Sequence, residues 1–207
     1  MLKNKKIYFI IGIITVLIFL IFFIKNNYKN FDTGHNMSNK NIEEIEKYIL
    51  NISSYKAKAS IEVQSNKNLN KYVVLQEYTK PNISKQTVLE PSNIEGIEII
   101  YDGNDLKINN TKLNLSTIYK DYEYIVDNNF SLESFINDYI NASNTKKYEE
   151  NEEYVLEAQI ENNKYMKNKK LYIDKKTAKP TKLTIQDINE KNIVYILYNE
   201  ITVNITN

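Results

Sequence analysis

The sequence predicts an α+β protein: a single strongly curved antiparallel sheet with helices on its concave side, preceded by one N-terminal transmembrane helix. Three observations carry this expectation. An uncharged apolar run of 18 residues stands near the start of the chain. Beyond it, segments of period-two alternation recur at roughly ten-residue spacing, separated by Asn, Asp, Gly and Pro. Two other segments repeat their apolar residues at helical spacing, one ahead of the strands and one among them. The order helix, meander, helix, meander fits a sheet with helices on one face better than an alternating βαβ fold.

The apolar run covers residues 7–24 and includes Ile7, Gly12, Leu17, Phe22 and Ile24. As a helix it would span about 27 Å, close to the ~30 Å hydrocarbon core of a bilayer. Lys6 and Lys25 stand where they can snorkel at its two ends. No small-residue cleavage site follows Ile24, so an uncleaved anchor is expected over 1–25. Lys3, Lys5 and Lys6 precede the run, which predicts a cytoplasmic N-terminus and an extracytoplasmic domain in a single-pass arrangement at the cell membrane. Residues 26–40 are polar and predict a tether, and the exported domain is expected over 41–207.

The domain's first helix is predicted from Ile42, Ile45, Ile49 and Ile52, with Glu43 and Glu44 near its positive end. In the next segment Tyr55, Ala57, Ala59, Ile61 and Val63 alternate with Lys56, Lys58, Ser60 and Glu62, which predicts a strand with one covered and one wet face. Pro81 and Pro91 break the following strands, and Asp102-Gly103-Asn104 and Asn109-Asn110 supply turn residues for further hairpins. Ser131 is a candidate N-cap for a second helix with Leu132, Phe135, Ile136, Tyr139 and Ile140 inward. The stretch from Glu152 to Asn163 alternates again. In the closing meander Asp174 is placed to organise a turn over Lys175, Lys176 and Thr177, and Pro180 fits only a strand start or edge.

Composition excludes several chemistries. With Cys 0, disulfides, thiolate metal sites and a lipid-bearing cysteine are all absent. Residues 1–33 carry +4 of a whole-chain charge of +1, so the remainder is slightly acidic and has no footprint for nucleic acid. The single histidine, His35, falls in the tether, where no partner fixes it for catalysis. The acidic run Glu149, Glu150, Glu152, Glu153 lacks the glycine and alternation of a calcium loop and reads as a solvated strand end. No catalytic residue, metal ligand or cofactor site is expected. The 17 tyrosines are expected mainly in the core, with a greasy pocket as the other use.

The closing segment from Leu171 to Asn204, with its strand ending in Asp174, Lys-Thr turn and Pro180 opening the next strand, resembles the last hairpins of LolA-like lipoprotein carriers. The stretches YDGNDLKINN and SYKAKASIEVQSN resemble the same family's middle hairpin and first strand. The resemblance covers roughly 42–204 and is nearest to the germination-lipoprotein GerS group, from which this chain departs by having no lipobox cysteine. It implies a LolA-like half-barrel and a non-catalytic, membrane-held binding protein whose partner is a cortex-modifying cell-wall amidase, with the forespore envelope as one setting. The alternative it implies is a carrier or sensor that holds an acyl chain of a lipid or lipoprotein. The concave face of that fold would present Tyr55, Ala57, Ala59, Ile61, Val63, Leu171 and Ile173 to a ligand.

Overall fold

The computed structural model describes residues 40–65, 67–122, 130–160, 163 and 165–205. The predicted anchor, most of the tether and His35 lie outside these residues. Among the described residues no helix is long and apolar enough to cross a membrane.

Helix α1 (Ile42–Leu50) begins at a capping box: the Glu44 N–H donates to Asn41 Oδ1 at 2.9 Å, and the Asn41 N–H donates to Glu44 Oε2 at 3.1 Å. Ile45 and Ile49 are fully buried on its inner face. The helix ends at a C-cap on Asn51, so Ile52 opens the first strand rather than closing the helix, although it is buried as the periodicity required.

Among the described residues, eleven strands follow in one antiparallel sheet. In chain order they are β1 (Ile52–Gln64), β2 (Leu69–Thr79), β3 (Ile83–Glu90), β4 (Ile97–Tyr101), β5 (Leu106–Asn110) and β6 (Leu115–Tyr119). Helix α2 (Leu132–Asn141) comes next, and then β7 (Thr145–Glu150), β8 (Glu153–Gln159), β9 (Met166–Asp174), β10 (Pro180–Asp187) and β11 (Asn192–Ile205). The spatial order β6-β5-β4-β3-β2-β1-β11-β10-β9-β8-β7 makes two meanders that meet where β1 pairs with β11. The two end strands, β6 and β7, do not pair with each other, so the sheet is open. Helix α2 joins the two edges in sequence.

Both helices pack into one core cluster with one face of the sheet. On β1 the inward row is Tyr55, Ala57, Ala59 and Ile61, while Lys56 and Lys58 are exposed, as the alternation predicts. Ser131 caps α2, its side chain accepting from the Ser134 N–H. Leu132, Phe135, Ile136 and Tyr139 are buried, but Ile140 is 59% exposed. At roughly 100° per residue it lies about 90° from the centre of the buried stripe, on the rim.

Two further expectations shift. Asn109 and Asn110 belong to β5, and the left-handed residue of that hairpin is Asn114 (φ 51). Asn110 still serves the turn through its side chain, which accepts from the Leu113 N–H at 3.0 Å. Strand β8 does not alternate in burial: Tyr154 through Ala158 are all buried. Val155, on the face away from the helices, stands between its cross-strand partners Tyr148 and Tyr172, which cover it. The turn at Asp174 forms as expected, its Oδ1 accepting from the Thr177 N–H (2.8 Å) and hydroxyl (2.7 Å), and Pro180 opens β10.

Candidate binding site

The helix face of the sheet is a packed core at most of the positions the sequence marked for a ligand. Tyr55, Ala57, Ala59, Ile61, Leu171 and Ile173 are each 4% exposed or less and belong to the cluster that contains Leu132, Phe135, Ile136 and Tyr139 of α2. Val63, near the end of β1, is half-buried against the same cluster. Cross-strand neighbours extend the row: Ala57 pairs with Gln76, and Tyr55 with Tyr78.

Polar groups run through this core beneath α2. Lys169, on β9 in the same inward row as Leu171 and Ile173, is wholly buried. Its Nζ lies 2.5 Å from Asp138 Oδ2 and donates to Ser134 Oγ at 2.8 Å, both on α2. Glu133, in the first turn of α2 and 7% exposed, accepts from the Tyr55 hydroxyl. Burial pushes the Glu133 carboxyl above the usual carboxylate range, against the hydrogen bond from Tyr55. Burial, with the nearby Glu133 charge, also pushes the Tyr55 and Tyr198 hydroxyls up. A second polar bridge ties α1 to α2 and β7: Glu46 accepts from the Tyr139 hydroxyl (2.6 Å) and from Lys147 (2.9 Å). Burial opposes ionisation of Glu46, yet these two bonds hold it below its ordinary value.

A cleft of about 150 Å³ opens beside Glu133, lined by Tyr78, Asn82, Ser84, Tyr101, Ser134 and Asn137. A larger depression of about 310 Å³ on the outer face is lined by polar side chains whose charges answer one another, Lys170 with Glu157 at 3.5 Å and Lys167 with Glu190 at 2.8 Å. Among the described residues no group of three or more His, Asp or Glu is arranged to hold a metal ion. The acidic run at the β7–β8 turn is solvated and paired outward, Glu149 with Lys175 at 2.9 Å.

The polar seam was not legible in the sequence. Lys169 sits in the run MKNKK, which reads as a wet strand, and its partner Asp138 is distant in sequence. The one available signal was phase, since Lys169 shares the period of Leu171 and Ile173.

The other half of the helix face is open. All residues of β4 and β5 are half-buried and all five of β6 are exposed. Leu115 (62%) and Tyr119 (49%) of β6 share that face, with Leu113 (65%) in the turn before them, while Ile118 (53%) points to the opposite face.

Comparison with known proteins agrees with this architecture. A search of curated protein sequences finds no match. Among solved structures, the chain is similar to the GerS lipoprotein, seen in complex with the CwlD amidase of Clostridioides difficile, at 26% identity over 78% of this chain and 95% of that one, with a TM-score of 0.50. Fainter fold likenesses include an uncharacterised conserved protein of Thermus thermophilus (11% identity, 80% and 87% covered, TM-score 0.49). A LolA superfamily protein of Nitrosomonas europaea is another (11% identity, 80% and 94% covered, TM-score 0.41). The profile of the YdcC-like sporulation proteins matches residues 5–206, nearly the whole sequence, and the chain belongs to that family.

Proposed function

We propose that this chain is a membrane-anchored, non-catalytic extracytoplasmic binding protein whose partner is a cell-wall amidase. The observation that supports this most is the likeness to GerS, which spans 95% of the GerS chain, a protein solved in complex with the CwlD amidase. In this reading the apolar run around Leu17 holds the protein at the cell membrane, with its N-terminus cytoplasmic, and takes the place of a lipid anchor. The partner acts on the cell wall, and the chain acts by contact: a few kcal/mol of preferential binding to one conformer is enough to shift a population.

The open sheet half suits such a role. Exposed apolar clusters on otherwise polar surfaces mark interaction sites, and an unpaired edge strand adds backbone donors and acceptors. The acyl-carrier reading is less favoured, because six of the seven side chains expected to line its cavity are packed into the core.

The test is co-purification of the full-length chain, in detergent, with cell-wall amidases of the spore-forming source. A stable complex is expected, with activity residing in the amidase alone. Failure to bind any of them, or turnover of peptidoglycan by this chain that disappears on changing one of its own carboxylates, overturns the reading.

A further inference from the structure

We propose that the cleft beside Glu133 is a binding site for a primary ammonium group, presented either by a lysine side chain or by a small free amine. Four observations lead there. First, the charges do not balance: α2 contributes two carboxyls, Glu133 and Asp138, against the single buried ammonium of Lys169, which Asp138 takes at 2.5 Å. Glu133, the residue that lines the cleft, is left with no ion-pair partner among the described residues. Second, the lining carries no cation and is rich in acceptors, with Asn82, Ser84, Ser134 and Asn137 around Glu133.

Third, the donors of the ligand are matched: an ammonium has three donors and no acceptor, and it would find acceptors in Glu133 and in the side-chain oxygens of Asn82, Ser84 and Asn137. Fourth, Tyr78 and Tyr101 line the walls, which suits an alkyl stem beside a cation and the attraction of a cation for an aromatic face. At about 150 Å³ the cleft takes a single side chain or a small amine, well below the ~300 Å³ at which drug-sized ligands are held.

The groups that face Glu133 set the pH behaviour. They are the hydroxyls of Tyr55 on β1, Tyr78 on β2 and Tyr198 on β11, Ser131 ahead of α2, and Lys169 on β9. Burial favours the protonated carboxyl, and an incoming ammonium reverses that preference. Binding therefore strengthens as pH rises through the raised Glu133 pKa.

The site does not require the amidase, so it is tested without one. Full-length protein in detergent micelles is titrated calorimetrically with n-butylammonium chloride, with Nα-acetyl-lysine amide and with n-butanol, which has the same stem and no charge. Saturable binding of the amines and none of butanol is expected, weakened at least about tenfold in Glu133→Gln and about threefold in Tyr101→Ala. Binding of both amines assigns the site to a side chain, and binding of butylammonium alone assigns it to a free amine. Binding of neither overturns the proposal, as does an affinity for butanol equal to that for the amine. Should Glu133→Gln fail to fold, undiminished binding in Tyr101→Ala, at the half-exposed rim, has the same force.

Discussion

The two wings of this sheet are built from similar strands and live in different environments. In the wing that carries β8 and β9, Leu156, Ala158, Leu171 and Ile173 are wholly buried. In the wing that carries β4, β5 and β6, the segments IEIIY, LKINN and LSTIY hold comparable apolar residues, and none of them is fully buried. The difference lies in cover. Helix α2 packs on β8, and α1 packs on α2 and β7. A strand's own pattern fixes which residues share a face, and the neighbouring layer decides whether that face is dry.

The largest effect that would sharpen this contrast comes from a charge placed in the covered region. Ile61→Asp, at a side chain 4% exposed, is expected to cost on the order of 3 kcal/mol or more, because it buries an unpaired carboxylate. Glu62→Ala, one residue on, removes a surface pair with Lys71 and is expected to cost less than about 0.5 kcal/mol. Chemical denaturation of both variants checks this, and equal losses would mean the faces are assigned wrongly.

The next effect concerns the buried ion pair. Asp138→Ala strands the Lys169 ammonium at 0% exposure and is expected to cost about 2 kcal/mol, below the usual range for a broken buried pair because solvent reaches Asp138. Lys169→Met removes the buried charge instead and leaves Asp138 able to hydrate, so a loss under about 1 kcal/mol is expected. The same denaturation curves decide it. A Lys169→Met variant less stable than Asp138→Ala would show that the unpaired Asp138, not the lysine, bears the cost of burial.

These pairs mark where the sequence was legible. The period of Tyr55 to Ile61, the Ser131 cap and the Asp174 turn all form as read, because each depends on residues within a few positions. Lys169, Val155 and Glu133 escaped, because their burial depends on α2 or on strands brought alongside from elsewhere in the chain. Local chemistry specifies faces and turns, and lateral cover is a tertiary property. For the same reason the seven residues expected to meet a ligand share one inward phase and sit mainly in core, while the cleft lies at the edge of the cover.

A smaller effect, with a sign that depends on pH, comes from Glu133. Burial raises its folded-state pKa, so the folded protein holds this proton more firmly than the unfolded chain does. The associated stability is fully present below the unfolded carboxylate pKa and is lost as pH rises through the raised value. Glu133→Gln has no such loss, so it should gain on the wild type as pH increases. Melting temperatures of the two proteins at about pH 4, 6 and 8 test this, and a Glu133→Gln variant that loses ground to the wild type toward the alkaline end would mean that the carboxylate is stabilised where it lies.

The smallest effect on stability is expected in the open wing, and there it separates folding from function. Leu115 and Tyr119 share one face of edge strand β6 and are 62% and 49% exposed, so Leu115→Glu and Tyr119→Glu remove little buried area. Each should change stability by less than about 0.5 kcal/mol, and added charge on an edge strand discourages edge-to-edge pairing. A partner that covers this cluster would lose apolar contact and have to desolvate two carboxylates. The double variant is therefore expected to bind a cognate amidase at least about tenfold more weakly while melting within a few degrees of the wild type. Unchanged affinity with unchanged melting would place the partner elsewhere on the protein. A large drop in melting temperature would show instead that this wing is already covered within the folded chain, and the contrast between the two wings would fall with it.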